Sequence, residues 1–299
     1  MKPNKKIIVT SCVAILFVAL LRGCAVTSYH LPSTGMENSL YKNERILINK
    51  WSYGLRLPFM DIWGYHRWGE DKVKRNNIIV FNNPADNAEK SISQRKVFIG
   101  RCIGLPGDTI LIDSLYNVHP DRMISSDRKW FYSYPSEREN EMLSLLVRLN
   151  MQKEEIVRKD SLNNIRSFSR YEYYLLQQAI DEDCWIHPLG NPENHNLPLV
   201  IPDSKTTVDV TPWNCTLLCN TLLLHEGRQA SVKNDSLFID GKHVTQCRFS
   251  KDYHWIVSDN PNNYSDSRLF GFVPKDHIIG KASYIWYSSH RKRIGKQIK

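Results

Sequence analysis

Residues 97–113 read VFIGRCIGLPGDTILID, and this stretch decides the fold class. β-branched and aromatic residues dominate 97–103, which is typical of a strand. The sequence Leu105-Pro106-Gly107-Asp108 is a turn signal, and residues 109–113 continue as a second strand. Similar short strands are predicted at 44–50, 77–81 and 253–258. Many short strands separated by Pro and Gly turns predict a mainly β protein with an antiparallel core.

The middle of the chain follows a different pattern. Residues 136–159 carry apolar side chains at helical spacing, and residues 168–181 also read as a helix. A β-hairpin is predicted over 231–244, closed by Asp240-Gly241. We therefore expect an α/β subdomain inserted into the β core. The predicted organisation is a cytoplasmic N-terminus at 1–6, a membrane anchor at 7–26, the core at 30–114 and 246–290, the inserted subdomain at 115–245 and a basic tail at 291–299.

The N-terminus predicts the compartment. Residues 1–6 hold three lysines, and residues 7–21 carry no charge. Arg22 can reach the interface, so the apolar stretch extends to 26 as a single-pass transmembrane helix with its N-terminus in the cytoplasm. Two alternatives stay open, namely a lipoprotein modified at Cys24 and a cleaved signal peptide. All three place residues 30–299 outside the cytoplasm.

The charge of the chain bears on its partners. Forty Lys and Arg against 31 Asp and Glu give a net charge of +9. Nucleic acid is not expected, because no nucleic-acid-binding motif is present, and membrane lipid is the expected partner. The basic tail reads as a frayed, solvated end or as a segment against lipid headgroups. The aromatic stretch 51–68 reads as a β-ribbon or as an interfacial belt.

The seven cysteines have no regular spacing. An odd number without a pattern does not indicate a disulfide framework, and any pairing stays open. Two short groupings, Cys184 with His187 and Cys215 with Cys219, contain residue types that ligate zinc. Their spacings are not typical of structural zinc sites, so we expect no metal and no other cofactor.

Four segments, in this order, resemble the conserved boxes of type I signal peptidases, the S26 serine–lysine peptidases that remove signal peptides from exported proteins. They are LPSTGMENSL at 31–40 with KWSYG at 50–54, RNNIIVF at 75–81, IGRCIGLPGD at 99–108, and SDNPNNYSDSR at 258–268 with its continuation to 282. The order of the boxes behind a predicted anchor makes the resemblance specific. It implies an antiparallel β domain holding the site, a variable inserted domain, and a location at the outer, periplasmic face of the bacterial inner membrane.

The resemblance also implies a chemistry that this chain departs from. In the family a serine attacks the carbonyl after a small-x-small motif, and a neutral, desolvated lysine takes its proton. The matching positions here are Gly35 for the serine and Gly100 for the lysine. Tyr264 stands where a second serine bonds that lysine. Glycine has no side chain, so it can neither attack a carbonyl nor accept a proton.

Other positions match the family's site. Ser33 is implied to line the oxyanion hole, and Asp266 is implied to form a supporting ion pair with Arg268. The complete set of implied scaffold or peptide-binding residues is Pro32, Ser33, Met36, Arg101, Asp259, Asn260, Tyr264, Asp266 and Arg268.

Two functional hypotheses follow. The first is an inactive or impaired pseudo-peptidase that binds signal peptides or preproteins and works beside an active signal peptidase or the export machinery. A lost dyad would leave the two glycines facing each other across an empty, apolar cleft. The second is an active serine endopeptidase with a rearranged site. Its candidate nucleophiles are Ser33, Thr34 and Ser39, and its candidate bases are Lys50 and Lys96.

Overall fold

A computed structural model describes residues 9–11, 13–14, 25–56, 64–86, 91–113, 116–118, 128–151, 156–159, 162–180, 184–189 and 197–298. Cys24 and about two thirds of the predicted anchor therefore lie outside the described residues, whereas 9–11 and 13–14 are helical. Across the described ranges no helix has the length and apolarity needed to cross a membrane. Val26, which we had assigned to the anchor, is instead the first residue of a strand.

The centre of the protein is a seven-stranded antiparallel sheet in the order β1-β2-β20-β5-β6-β18-β19. Its strands are β1 (Val26–His30), β2 (Arg45–Asn49), β5 (Ile78–Asn82), β6 (Val97–Gly104), β18 (Tyr253–Val257), β19 (Val273–Pro274) and β20 (Ile278–Tyr287). Strands from the two ends of the sequence alternate, since β20 lies between β2 and β5. The prediction of a mainly β protein with an antiparallel core is confirmed.

Alternation along these strands creates two apolar clusters. Ile46 and Val80 belong to one cluster, while Phe81 and Ile256 belong to the other. Successive residues of a strand point to opposite faces, so β5 contributes Ile78 and Val80 to the first cluster and Ile79 and Phe81 to the second.

The aromatic stretch begins and ends in a small ribbon. Strand β3 (Leu55–Arg56) pairs with β4 (Arg67–Trp68), and residues 57–63 lie outside the described part. Trp51 and Trp68 are exposed, whereas Tyr53 is buried in the core. The two described ends therefore agree with the β-ribbon interpretation.

Residues 129–188 build a second sheet with its own apolar core. Its strands are β8 (Lys129–Pro135), β9 (Arg158–Lys159), β10 (Asn163–Ser169) and β11 (His187–Pro188), packed with helices α1 (Glu139–Arg148) and α2 (Arg170–Ala179). Helix α1 is shorter than the predicted 136–159, because Asn150 adopts a left-handed φ of 53° just after its end. Helix α2 begins with a capping box between Ser169 and Glu172.

Residues 197–250 pack directly on the central sheet. They contain helix α3 (Cys215–His225), strands β12 (Leu197–Val200), β13 (Thr207–Asp209), β14 (Ala230–Lys233), β15 (Ser236–Ile239), β16 (Lys242–Val244) and β17 (Gln246–Arg248), and β12 pairs with β7 (Thr109–Ile112). Leu218 and Leu222 of α3 share one apolar cluster with Trp255 of β18. The predicted hairpin is present, and its turn residues Asn234 and Asp235 both have positive φ, as a two-residue I′ turn requires.

The C-terminal residues are not a frayed tail. Ile298 donates its backbone N–H to Ser283, and its side chain is 7% exposed within a core cluster. Arg293 forms an ion pair with the buried Glu44 at 2.7 Å. The expectation of a frayed end is therefore wrong for residues 291–298, because this segment folds back along β20, although most of its residues are exposed to solvent.

Candidate functional site

A cleft of about 640 Å³ opens between the segment after β1, the start of β6 and the loop at 262–265. Its walls are largely apolar, and they include Leu31, Met36, Val80, Val97, Phe98 and Ile99. The predicted scaffold residues Pro32 and Ser33 are exposed on its rim, while Met36 is buried at its base.

Within the described part of the chain, one edge of β6 has no strand partner where it faces this cleft. Strand β5 pairs with β6 over Val97–Arg101, but on the opposite edge β18 pairs only with Arg101, Cys102 and Gly104. Residues 97–99 line the cleft and are partly exposed. An uncovered strand edge offers backbone donors and acceptors to an extended peptide, so the cleft has the form of a strand-addition site.

Gly35 lies in the loop between β1 and β2 and lines the cleft. Its carbonyl accepts a hydrogen bond from the Asn260 N–H at 2.9 Å. A Cβ built on Gly35 would overlap Nδ2 of Asn263 and would lie only 2.8 Å from its Cγ. The position that the resemblance assigns to a nucleophile is therefore packed against an amide side chain.

Gly100 lies in the middle of β6 and is buried. A Cβ on Gly100 would come within 2.6 Å of Ile256 Cγ2 and 3.1 Å of the Val257 carbonyl oxygen. An empty space between the two glycines would confirm a lost dyad, but neither position shows it, since Asn263 fills the space at Gly35 and Ile256 fills it at Gly100. Sequence reasoning missed both residues, because neither contact has a signal in the chain itself.

The candidates for a rearranged nucleophile and base are not brought together. The hydroxyls of Ser33 and Thr34 belong to exposed residues, and among the described residues neither lies within hydrogen-bond distance of a lysine nitrogen. Lys96 is exposed just before β6. Ser39 donates its hydroxyl to Asp259 at 2.6 Å and accepts from Arg101 at 2.8 Å, so its described partners are a carboxylate and a guanidinium and not a lysine amine. Lys50 begins a 3₁₀ turn at the end of β2.

Arg101 and Asp259 form a buried ion pair beside the cleft. Arg101 Nε and Nη2 each lie 2.7 Å from an Asp259 oxygen, and the two side chains are 3% and 0% exposed. Arg101 also donates to the Asn76 carbonyl and to Ser39 Oγ, both at 2.8 Å. This network fixes β6 against the start of the loop that contains Asn260 and Asn263.

The expected ion pair of Asp266 with Arg268 is present. Arg268 Nη2 lies 2.7 Å from Asp266 Oδ2, and the Asp266 carboxylate also accepts the Ser258 N–H at 2.8 Å. The same guanidinium donates to the Asn263 carbonyl at 2.5 Å and lies 4.5 Å from the centre of the Tyr264 ring. Tyr264 is about half exposed at the mouth of the cleft, so here it covers Arg268.

The second sheet contacts the Gly35 loop through polar groups. Lys129, which is 1% exposed, lies 3.4 Å from the Glu37 carboxylate, and its N–H donates to the Asp259 carbonyl at 2.7 Å. Asn38 donates to Glu172 at 3.2 Å. Burial and the nearby charge of Arg268 lower the pKa of Arg128 to about 10. These contacts, which sequence reasoning also missed, connect the second sheet with the cleft.

Metal ligation finds no support in the described ranges, where no group of His, Cys, Asp and Glu side chains is arranged to hold an ion. The cysteines within those ranges are unpaired thiols. The chemistry of the cleft therefore rests on its backbone edge, its hydroxyls and its amide groups.

Comparison with known proteins agrees with this architecture. The family model described as "Signal peptidase, peptidase S26" matches residues 4–159 and 222–287. A signal peptidase I of Aquifex aeolicus is 26% identical over 287 residues, covering 95% of this chain and 84% of its own length. One of Buchnera aphidicola subsp. Baizongia pistaciae is 24% identical over 276 residues, covering 91% and 73%. One of Pseudomonas aeruginosa is 35% identical over 103 residues, covering 32% and 31%. With more than half of its residues matched by that model, the chain belongs to the peptidase S26 family of signal peptidases.

Proposed function

We propose that this chain is a pseudo-peptidase that binds an extended, signal-peptide-like segment in the cleft beside β6 and does not cleave it, or cleaves it very slowly. The observation that carries the proposal is the packing at the two glycines. Side chains of neighbouring residues fill both spaces, so a serine at 35 or a lysine at 100 does not fit without movement. Loss of one member of a catalytic dyad costs about 10⁴–10⁶ in rate, and loss of the second adds little.

Binding is supported by what the chain retains. The open edge of β6, the apolar walls and the two ion pairs that hold the 258–268 loop are all in place. A peptide added as a strand gains main-chain hydrogen bonds from β6 and places alternate side chains against the cleft walls. None of these interactions requires a nucleophile.

The proposed location is the outer face of a bacterial inner membrane, with the N-terminal apolar segment as anchor. Its motivation is the charge pattern of residues 1–22 together with membership of the family. The proposed partners there are signal peptides of preproteins, and with them an active signal peptidase or the export machinery.

The test uses the full chain in detergent micelles and a fluorescein-labelled signal peptide with alanine at both small positions of its small-x-small motif. We expect a rise in fluorescence anisotropy with micromolar protein and no cleavage product by mass spectrometry. Val97→Arg puts a charge on the partly exposed edge of β6 and should abolish binding. Leu111→Arg, on an exposed position of β7, is the matched control and should bind as the unmodified chain does.

Two results would contradict the proposed function. Cleavage above the buffer background that disappears in Ser33→Ala or Thr34→Ala would show an active peptidase with a moved nucleophile. Absence of binding under all conditions would contradict the peptide-binding role.

A further inference from the structure

The side chain of Asn263 has a defined orientation at the floor of the cleft. Its Oδ1 accepts the Ser265 N–H at 2.9 Å. Because a backbone N–H can only donate, the atom facing Ser265 is the oxygen, and the NH₂ group is the one directed at Gly35. The amide is thus fixed with its two N–H donors beside Gly35, at the place that the Cβ of a nucleophilic serine would occupy.

The backbone around Asn263 is held as firmly as its side chain. Its N–H donates to the Asn260 carbonyl at 3.1 Å, and its own carbonyl accepts from Arg268 at 2.5 Å. Asn260 in turn donates to the Gly35 carbonyl. The loop with Asn263 and the loop with Gly35 therefore form one rigid floor. No hydrogen bond from Asn263 Nδ2 to another described residue accompanies these contacts.

We propose that Asn263 is a peptide-binding residue whose Nδ2 donates a hydrogen bond to a backbone carbonyl of the segment in the cleft. This inference rests on the proposed peptide-binding function. It names the group that would bind the peptide carbonyl at the position where a peptidase has its nucleophile. A fixed donor at the floor of the cleft stabilises the uncleaved carbonyl of a bound peptide. A pseudo-peptidase needs this interaction to hold its peptide, whereas in a peptidase a nucleophile would attack that carbonyl.

Gly35 has a specific part in this arrangement. A side chain at 35 and the Asn263 amide cannot occupy the same space, because even a Cβ would overlap Nδ2. Glycine is the residue that permits such a close approach of another group to the backbone. Gly35 is therefore a packing requirement for Asn263 as well as the absence of a nucleophile.

The binding test compares Asn263→Asp with Asn234→Asp in the full chain, using the same labelled peptide. Asn263→Asp keeps the acceptor for Ser265 but replaces the donor with an oxygen that repels a carbonyl. We expect about tenfold weaker binding, the usual effect of losing one hydrogen bond in a site. Asn234→Asp adds the same charge in the exposed turn between β14 and β15, outside the residues that line the cleft, and its affinity should stay within about twofold.

The outcomes separate the two proposals. If the unmodified chain binds no peptide, the proposed function fails and this inference fails with it. If the unmodified chain binds and Asn263→Asp binds within twofold of it, only the role of Asn263 is overturned.

A second measurement does not depend on peptide. Gly35→Ala should lower the thermal midpoint by about 3–10 °C when Asn263 is present, since overpacking strains the floor of the cleft. In an Asn263→Ala background the same change should cost much less, because the overlapping amide is gone. Equal costs in the two backgrounds would overturn the packing link between Gly35 and Asn263.

Discussion

Replacing Asp259 with asparagine tests the ion pair that supports the floor of the cleft. Asn has nearly the same shape, so the change removes charge and leaves volume unchanged. Arg101 then stays buried beside a neutral amide, with its Nε and Nη2 facing a side chain that offers one acceptor oxygen where there were two. The perturbation also reaches Ser39, whose hydroxyl donates to Asp259 Oδ2, so it acts on the contacts of the 258–268 loop with both β6 and the Gly35 loop.

The size of the effect follows from burial. The two side chains are 3% and 0% exposed, so water cannot replace the lost carboxylate. Removing one partner of a buried pair costs about 3–5 kcal/mol of unfolding free energy. At about 2–4 °C per kcal/mol for a chain of comparable size, the thermal midpoint should fall by about 6–20 °C.

The assay is thermal unfolding of the full chain followed by tryptophan fluorescence. Its matched control is Glu141→Gln, which breaks the pair of Arg138 and Glu141 at the same 2.7 Å distance but with side chains 49% and 44% exposed. Because water screens this exposed pair, that change should shift the midpoint by no more than roughly 1–2 °C. If both variants shift the midpoint equally, burial is not what makes the Asp259 pair important, and the reasoning fails.

Three further predictions concern other parts of the fold. Gly100→Lys should destabilise the protein by about 1–3 kcal/mol through its contact with Ile256, and the same change should cost less in an Ile256→Ala background, each cost being measured in thermal unfolding against its own parent; equal costs in the two backgrounds would contradict the contact. Burial lowers the pKa of His254 to about 4, whereas the unfolded chain protonates it near 6.5. The contribution of His254 to stability should therefore be full above pH 6.5 and fall by about 2 kcal/mol at pH 5, a dependence that His254→Gln removes and that the same change at the exposed His243 leaves intact. Ser169→Ala should cost about 1 kcal/mol in chemical unfolding, because it removes the N-cap of α2; a cost near zero would mean that the capping bond is not formed in solution.

Local patterns predicted the elements of the fold well. The strand predicted at 97–103 is Val97–Gly104, and the helix predicted at 168–181 is Arg170–Ala179. These elements carry their signal in residues close together in sequence, namely β-branched runs, helical spacing and turn residues. The packing of 197–250 on the central sheet carried no such signal, because Leu218 of α3 meets Trp255 only across the fold. The prediction for the C-terminal segment was wrong for a similar reason, because its basic residues do not indicate that Arg293 pairs with Glu44.

The sequence predicted which segments of the chain form the site, but it did not predict how their side chains pack together. Arg101, Asp259, Asp266 and Arg268 lie where the resemblance implied a supporting network. What the sequence could not supply is the set of atoms that a missing side chain would meet. That question depends on distances between Gly35 and residues more than two hundred positions away, and only three-dimensional packing answers it.

The site residues that match the family and the positions that differ from it depend on each other physically. Arg268 and Asp266 hold the loop whose Asn263 fills the space above Gly35, and Arg101 holds the strand whose Gly100 is packed by Ile256. The same scaffold that would align a nucleophile and a base therefore stabilises a closed floor. Restoring only the two side chains would introduce two steric overlaps into a network with little freedom to relax, each costing about 1–3 kcal/mol. A chain with serine at 35 and lysine at 100 should for this reason lose stability before it gains activity, and relief at Asn263 and Ile256 is the condition for recovering either.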